Sequence, residues 1–245
     1  MQRLPLAESV PTELEVWQLL LDTGREPTPD AWRLLSHTEQ ARARRFHHLA
    51  DRVRAVATRA ALRRLLSERV GVAADALTFS ENAYGKPLLS GVEGPAFNVS
   101  HAGNVALIAL ASSGAVGVDI ERQHTDAELE ALYDLLLSPS ERAEHDGGEG
   151  GLPLIERWVV KEATLKALGV GIAEHLPALS VFLSSGQRNA YRLDYRLAAP
   201  PLEAWAISAP AGYIAALACA DRTASERYST HSLGGQPCTA MAQHQ

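Results

Sequence analysis

The sequence is short of several features that mark particular classes of protein. It has only two cysteines in 245 residues, Cys219 in an apolar run and Cys238 in a polar tail, which indicates neither a disulfide framework nor a cysteine metal site. No run of 18 apolar residues occurs, and the first residues lack the continuous apolar stretch of an export signal. We therefore expect a protein of the reducing cytoplasm that is neither exported nor embedded in a membrane.

Positive charge is also scarce. The chain has 23 lysines and arginines against 29 acidic residues, a formal net charge of -6. Such a chain repels a polyanion outside any local basic patch, which argues against a general nucleic-acid-binding protein. Hydrophobic residues make up 46% of the sequence, enough for a substantial core, so disorder throughout is excluded.

The order of the predicted elements indicates an α+β protein built from two similar halves. In the first half the patterns predict a strand over 14–21, helices over 36–46 and 49–70, and strands over 77–80, 96–100 and 105–111. The second half repeats this plan, with a strand over 116–121, helices over 126–137 and 154–168, and strands near 179–183, 191–197 and 214–218. No residue-level repeat is evident, so this expectation rests on element order alone. Two such halves favour a ligand cleft between them.

Composition also suggests where the chain divides. We place the boundary near residues 112–114, which gives an N-terminal half of residues 1–113 and a C-terminal half of residues 114–221. Residues 144–151 are acidic and rich in glycine, which predicts a mobile loop between two helices. The tail of residues 222–245 is rich in Ser, Thr, Gln and Gly, and we expect it to be disordered.

Two stretches about 40 residues apart carry the main candidate site. The period-2 alternation of a strand places Asp119 and Glu121 on one face, which we expect to be wet, with apolar residues on the other. In the later helix, Trp158, Glu162 and Lys166 follow one another at intervals of four residues and share one stripe.

The chemistry of these side chains points to a hard metal ion. Three carboxylates with no nearby Cys or His suit Mg²⁺ or Mn²⁺ better than Zn²⁺. The alternative is ordinary surface chemistry, since Asp-x-Glu on a strand is usually solvated and Glu162 and Lys166 make a common helix pair.

A cluster of nine arginines lies between residues 42 and 69. They either form the solvated face of a helix or make an anion-binding site on an acidic protein: Arg42, Arg44, Arg45, Arg52, Arg54, Arg59, Arg63, Arg64 and Arg69. Lys86 follows in the turn sequence Tyr84-Gly-Lys-Pro87, which we expect to present the lysine outward.

Ser100 and His101 adjoin at the end of a predicted strand. Adjacent strand side chains point to opposite faces, so this pair does not indicate a serine hydrolase. His101 by itself is equally consistent with a buried, satisfied histidine and with a ligand-binding one.

Taken in the order in which they occur along the chain, the motifs resemble those of the two-repeat 4'-phosphopantetheinyl transferases that serve peptide and polyketide synthetases in secondary metabolism. They cover roughly residues 12–220 and are Arg44-Arg45-Phe46 with Asp51 and Arg54, Gly85-Lys86-Pro87, Phe97-Asn-Val-Ser-His101, Gly117-Val-Asp-Ile-Glu121, and Trp158-x-x-Lys161-Glu162-x-x-x-Lys166. The resemblance implies a pseudo-twofold pair of α+β halves with coenzyme A in the cleft between them.

It also implies an activity. A holo-carrier-protein synthase moves 4'-phosphopantetheine from coenzyme A to a serine of an apo acyl, peptidyl or aryl carrier protein and releases adenosine 3',5'-bisphosphate. The implied partners are thus the carrier and coenzyme A, without nucleic acid or membrane, and we expect a monomer.

The resemblance assigns roles residue by residue. Mg²⁺, with Mn²⁺ as an alternative, would be held by Asp119, Glu121 and Glu162. The catalytic residues would be Glu162 as base, Lys166 at the pyrophosphate and Asp119, with Glu141 as a secondary candidate base. The coenzyme A contacts would be Arg42, Arg54, Lys86, Pro87, Ser100, His101 and Lys166.

Two positions depart from the family pattern. Glu39 stands where a phosphate-contacting lysine can occur, and Ala55 stands where a small hydroxyl residue can occur, which leaves the 3'-phosphate contacts open. Two other classes of function compete with the transferase. A Mg²⁺-dependent phosphohydrolase would use the same carboxylates on water, and a non-catalytic nucleotide-binding module could dispense with Glu162.

Overall fold

A computed structural model describes residues 1–147, 151–185, 189–196 and 199–220. The strands are β1 Gln2–Arg3, β2 Leu14–Leu20, β3 Thr78–Glu81, β4 Pro87–Ser90, β5 Ala96–Ala102, β6 Val105–Ala111, β7 Ala115–Arg122, β8 Leu179–Leu183, β9 Ala190–Tyr195, β10 Leu202–Ile207 and β11 Tyr213–Ala220. The α-helices are α1 Pro29–Arg33, α2 His37–Arg44, α3 Leu49–Val70, α4 Asp126–Leu129, α5 Tyr133–Leu136, α6 Pro139–Asp146, α7 Leu154–Leu168 and α8 Ile172–His175. Among these ranges, no helix is long and apolar enough to cross a bilayer.

The α+β class is confirmed, and so are the two longest helices. α3 and α7 end where predicted, at Gly71 and Gly169, whose positive φ angles of 69° and 72° place them in the left-handed region that favours glycine. Other boundaries were wrong. The helix predicted over 126–137 is broken into α4, a 3-10 turn at Glu130–Leu132 and α5, and the strand β10 was missed.

The acidic segment 144–151 also differs from its prediction. α6 continues to Asp146, and Glu144 pairs with Arg157, so the first part of the segment is packed helix. Residues 148–150 of this predicted loop, residue 197 of the predicted strand 191–197 and the predicted tail 222–245 lie outside the described residues.

The two halves share a strand order. A four-stranded antiparallel sheet runs β1-β2-β6-β5, and a five-stranded antiparallel sheet runs β7-β11-β10-β9-β8. In each half the first long strand pairs with the last strand, which pairs in turn with the strand before it. This common order agrees with the expectation of two similar halves. The division proposed at residue 113 falls in the turn between β6 and β7 and stays a prediction.

Alternating side chains assemble the protein into four layers. On β6, Leu107 and Ala109 face a core shared by the two sheets, whereas Ala106 and Ile108 face a separate core with α3. On β7, Val118 and Ile120 enter the core between the sheets, and the opposite face of this sheet packs on α7. Both faces of each central strand are therefore covered, by a helix on one side and by the other sheet on the other side.

The sheets also meet at their edges, where β5 lies beside β7. The side-chain oxygen of Asn98 accepts a hydrogen bond from the backbone N–H of Val118 at 2.9 Å. A side chain thus satisfies a buried edge-strand donor that would otherwise be costly to leave unpaired. This junction fixes the first half against the strand that carries Asp119 and Glu121.

Gly117 permits α7 to lie unusually close to β7. A Cβ at this position would lie 1.9 Å from the carbonyl oxygen of Ala163 and 2.4 Å from the backbone nitrogen of Ala167. Both atoms belong to the helix backbone, so no side-chain rotation could relieve the clash. The glycine of the 117–121 motif is therefore a packing requirement of the layer that contains the candidate site.

Gly117→Ala should consequently destabilise the protein, because α7 must move away from β7 to admit one methyl group. We expect the free energy of unfolding to fall by about 1–3 kcal/mol or more, measured by chemical denaturation. Gly24→Ala is the matched control, since its Cβ would meet only Asp22 Oδ1 at 3.6 Å, and it should change stability by less than about 0.5 kcal/mol. Equal effects of the two substitutions would contradict this account of the packing.

Candidate functional site

Asp119 lies at the junction of β5 and β7, beneath α7, and is 1% exposed. Its Oδ1 accepts hydrogen bonds from Ser100 Oγ at 2.7 Å and from Lys166 Nζ at 2.6 Å. Its Oδ2 is buried and has no hydrogen-bond partner among the described residues. The expectation of a wet carboxylate face was wrong for Asp119, because α7 covers the face that strand alternation alone leaves open.

Lys166 joins Asp119 to the second stretch of the candidate site. Its Nζ lies 2.6 Å from Asp119 and 3.1 Å from Glu162 Oε2, one helical turn earlier on α7. Burial alone lowers the pKa of Lys166, but the two carboxylates outweigh burial and raise it above its ordinary value. The ammonium group therefore stays charged and sits between two acidic side chains.

Glu121 and Glu162 hold their protons more tightly than ordinary glutamates. Burial, followed by the negative charges of Asp119 and Glu162, raises the pKa of Glu121 to about 7. Burial likewise raises the pKa of Glu162, against the opposing effect of Lys166. The charges of the three predicted carboxylates therefore influence one another, and the ammonium group of Lys166 contacts two of them, Asp119 and Glu162.

Whether a divalent cation suits this site depends on the arrangement of the donors and on their chemistry. Among the described residues, no group of three His, Cys, Asp or Glu side chains stands in an arrangement that could hold a metal ion. The donors nevertheless suit Mg²⁺, because all three offer hard oxygens and Asp119 Oδ2 is a buried acceptor without a hydrogen-bond partner among the described residues. The metal role of Asp119, Glu121 and Glu162 stays a prediction.

A cavity of about 590 Å³ lies between α2, α3 and the β3–β4 hairpin. It brings together several of the predicted coenzyme A contacts: Arg42, Arg54, Pro87 and His101. Its wall includes four arginines against two glutamates, so its lining is cationic although the whole chain is acidic. Ser100 is directed instead toward Asp119.

Arg54 and His101 occupy the wall nearest the β5–β7 junction. Arg54 donates to the carbonyl of Gly103 at 2.7 Å and to Asp51 Oδ1 at 2.5 Å, which fixes its guanidinium. Partial burial, together with the charges of Arg54 and Lys166, lowers the pKa of His101 and favours its neutral form near pH 7.

Lys86 does not point outward as its turn predicted. Its Nζ donates to the carbonyls of Lys166 at 2.6 Å, Val116 at 3.1 Å and Ala167 at 3.2 Å. Burial lowers its pKa to about 8. A cation at the last carbonyls of a helix interacts favourably with the negative end of the helix dipole. Lys86 therefore caps the C-terminal end of α7. A nucleotide contact by Lys86 stays a prediction.

The hairpin that carries Lys86 connects the cavity to α7. Asn82 donates to the carbonyl of Gly169 at 2.8 Å, and its Oδ1 accepts from the backbone of Tyr84 and of Lys86. Gly85 and Pro87, in the same turn, line the cavity. A smaller cavity of about 270 Å³ lies beside this turn and has Lys166 in its wall. No sequence pattern indicated this role of Asn82.

Glu141 is not available as a base. It is fully buried and bonded to Lys161 Nζ at 2.6 Å, to the backbone N–H of Val181 at 2.9 Å and to Arg157 at 3.3 Å. It also closes a capping box with Ser138, a signal that the sequence Ser138-x-x-Glu141 does carry. The interpretation of Glu141 as a secondary base was therefore wrong.

Comparison with known proteins places these features in a family. Residues 25–113 match the family model described as 4'-phosphopantetheinyl transferase, N-terminal, and residues 115–218 match that of the 4'-phosphopantetheinyl transferase superfamily. The chain is 33% identical to a putative 4'-phosphopantetheinyl transferase of a Synechocystis species, over 74% of this chain and 78% of the relative. It is 34% identical to the 4'-phosphopantetheinyl transferase HetI of a Nostoc species, over 66% of this chain and 71% of the relative. It is 27% identical to the 4'-phosphopantetheinyl transferase Sfp of Bacillus subtilis, over 61% of this chain and 66% of the relative.

The raised pKa of Glu121 predicts a pH dependence in metal-free protein. Between its ordinary pKa of 4.5 and about 7, the folded state binds this proton more often than the unfolded state does. The stability contributed by Glu121 is thus present below pH 4.5 and lost as pH rises through about 7. In EDTA, Glu121→Gln should therefore gain thermal stability relative to the wild type as pH rises across this window.

The control for this comparison is Glu93→Gln, which removes an exposed glutamate elsewhere on the surface. Thermal midpoints of all three proteins are measured in steps across the same pH range. A difference between Glu121→Gln and the wild type that stays constant with pH would show that folding does not shift the titration of Glu121.

Proposed function

We propose that this protein moves the 4'-phosphopantetheine group of coenzyme A to a serine of an apo acyl, peptidyl or aryl carrier protein. The chain belongs to the 4'-phosphopantetheinyl transferase superfamily and is a transferase of that class. One observation carries the proposal. The buried cluster of Asp119, Glu162 and Lys166 lies at the junction of the two halves, and the Asn82–Lys86 turn links this cluster to a cationic cavity. In this proposal the cluster binds the reacting pyrophosphate and the neighbouring cavity binds the nucleotide part of the same molecule.

The reaction is a phosphoryl transfer without a protein nucleophile. The serine hydroxyl of the carrier attacks the β-phosphorus of coenzyme A, the P–O bond to the α-phosphate breaks, and adenosine 3',5'-bisphosphate leaves. We propose that Lys166, which is charged and part-buried, neutralises pyrophosphate oxygens. Its contacts with Asp119 and Glu162 hold the ammonium group in position before substrate binds.

Glu162 is the residue best suited to accept the proton of the attacking hydroxyl. Its carboxylate lies 3.1 Å from the ammonium group of Lys166, beside the position proposed for the reacting pyrophosphate. Glu162 lies on the same face of α7 as Lys166, so proton acceptance and charge neutralisation are held at adjacent positions.

We propose that Mg²⁺, or Mn²⁺ in its place, binds Asp119, Glu121 and Glu162. The ion supplies charge neutralisation of the pyrophosphate when it is bound. Asp119 would contribute Oδ2, which has no hydrogen-bond partner among the described residues, since its Oδ1 is bonded to Ser100 and Lys166. Ser100 thereby orients the carboxylate, a role that differs from the predicted contact with coenzyme A.

Coenzyme A is proposed to lie with its nucleotide in the cavity lined by Arg42, Arg54, Pro87 and His101. Lys86 holds the neighbouring turn against α7, so that the turn's backbone and Pro87 face the nucleotide. We further propose that the protein acts as a monomer in the cytoplasm, in the service of secondary metabolism, without nucleic acid or membrane partners.

The function is tested by incubating a purified apo carrier protein with this protein, coenzyme A and Mg²⁺. Intact mass spectrometry should show addition of one phosphopantetheine group, together with release of adenosine 3',5'-bisphosphate. Loss of the signal in EDTA and recovery with excess Mg²⁺ are expected. Cleavage of coenzyme A without any modified carrier would instead indicate a phosphohydrolase.

Glu162→Gln should separate catalysis from binding, because glutamine keeps the shape of the side chain but cannot accept the proton. We expect kcat to fall on the order of 10²-fold or more, with the fold and the affinity for coenzyme A retained. The measurement is single-turnover transfer at saturating coenzyme A and Mg²⁺, across pH.

The matched control is Glu156→Gln, on the same helix. Glu156 accepts a hydrogen bond from Tyr191 at 2.6 Å, which a glutamine oxygen can also accept. This variant should turn over at close to the wild-type rate. Wild-type turnover in Glu162→Gln would exclude Glu162 as the base.

A further inference from the structure

The C-terminal end of α7 is completed by a side chain from the other half of the protein. The last four carbonyls of an α-helix have no partner within the helix and must be satisfied from elsewhere. In α7 the carbonyl of Leu165 accepts from the backbone N–H of Gly169 at 2.9 Å, which is a local contact. The carbonyls of Lys166 and Ala167 accept instead from Nζ of Lys86, on the β3–β4 hairpin.

Lys86 uses its remaining donor on the strand beneath the helix. Its Nζ donates to the carbonyl of Val116 at 3.1 Å, next to Gly117, where the backbones of β7 and α7 lie closest. All three of its partners are backbone carbonyls, and Lys86 pairs with no carboxylate in the part of the chain that the structure describes. An ammonium group has three donors, so these bonds leave none for a phosphate.

Lys166 is held by its backbone and by its side chain at the same time. Its carbonyl accepts from Lys86 at 2.6 Å, while its Nζ lies 2.6 Å from Asp119 Oδ1. A shift in the last turn of α7 would carry both groups with it, because they belong to one residue. A displacement of about 1 Å in a group that positions a substrate can cost on the order of 10²-fold in rate.

The turn that carries Lys86 keeps its shape without the lysine side chain. Asn82 Oδ1 accepts from the backbone N–H groups of Tyr84 and Lys86, both at 2.9 Å, and the backbone N–H of Asn82 donates to the carbonyl of Lys86 at 3.0 Å. Asn82 Nδ2 also donates to the carbonyl of Gly169 at 2.8 Å, a second bond between the turn and the end of α7. Loss of the Lys86 side chain should therefore leave the backbone of this turn in place.

We propose that Lys86 is a positioning residue for the transfer reaction, which acts on Lys166 through the end of α7, in place of the nucleotide contact that the family resemblance implies. A side chain of the N-terminal half thereby sets the last turn of a helix in the C-terminal half. The inference rests on the proposed function and deepens it, because it takes pyrophosphate as the group that Lys166 neutralises.

The test separates turnover from nucleotide affinity. Lys86→Met keeps roughly the length of the side chain and removes all three donors. Single-turnover transfer to an apo carrier at saturating coenzyme A should slow by about 10-fold or more, because Lys166 is no longer held in position. The affinity for adenosine 3',5'-bisphosphate, measured by calorimetry without a carrier, should stay within about 3-fold of the wild type, because no ligand contact is lost.

The control is Leu88→Ala on the same hairpin. Leu88 is 43% exposed and lies in the wall of neither cavity. This variant should match the wild type in both measurements. Lys86→Arg keeps a cation with several donors, so it should recover part of the rate that Lys86→Met loses.

A double variant shows whether Lys86 acts through Lys166. In Lys166→Met the group that Lys86 positions is already absent, so adding Lys86→Met should slow transfer by less than about 3-fold more. Thermal melts establish which variants are folded. If Lys86→Met does not fold, Lys86→Gln, which keeps an amide donor on a shorter chain, should show the same separation of rate from affinity to a smaller degree.

Three results would overturn the inference in a protein that transfers phosphopantetheine. A nucleotide affinity that falls as far as the rate would identify Lys86 as a ligand contact. A lower melting temperature with wild-type turnover would show a purely structural cap, and multiplying losses in the double variant would show that Lys86 acts independently of Lys166. Absence of transfer by the wild type would overturn the proposed function, and this inference with it.

Discussion

The close contact between α7 and β7 is the constraint on which the rest of the site depends. A helix normally stands away from a sheet by the length of the side chains between them, but Gly117 removes that spacer at one point. The backbone of α7 at Ala163 and Ala167 then lies directly on the strand. At this distance Lys166 reaches Asp119, so a lysine on the helix and an aspartate on the strand become one buried cluster.

Contacts at both ends of α7 keep it in this position. Toward its first turns, Arg157 and Lys161 are buried and bonded to Glu141. At its last turn, Lys86 and Asn82 bind the terminal carbonyls from the other half of the protein. Buried ion pairs contribute little net stability because desolvation opposes their attraction, but they are costly to break. Their effect here is to fix the position of Glu162 and Lys166, more than to add to stability.

Charge is divided between two neighbouring regions of the molecule. The site around Lys166 has three carboxylates, Asp119, Glu121 and Glu162, and one ammonium group, and burial together with the neighbouring carboxylates raises the pKa values of Glu121 and Glu162. The cavity has an excess of arginine. The proposed ligand, with a pyrophosphate and a distant phosphate and accompanied by a divalent cation, would balance both regions at once. This complementarity supports the proposal that an acidic protein binds a strongly anionic substrate.

The sequence by itself determined the local elements and the identity of the chemical groups. The 3.6-residue pattern and the terminal glycines located α3 and α7, and the period of β7 placed Asp119 and Glu121 on one face, because these depend on neighbours along the chain. Only the tertiary structure decided what covers each face. It buried Asp119 and Glu141 and turned Lys86 inward onto α7. Those outcomes follow from partners more than ten positions distant along the chain, which no local pattern encodes.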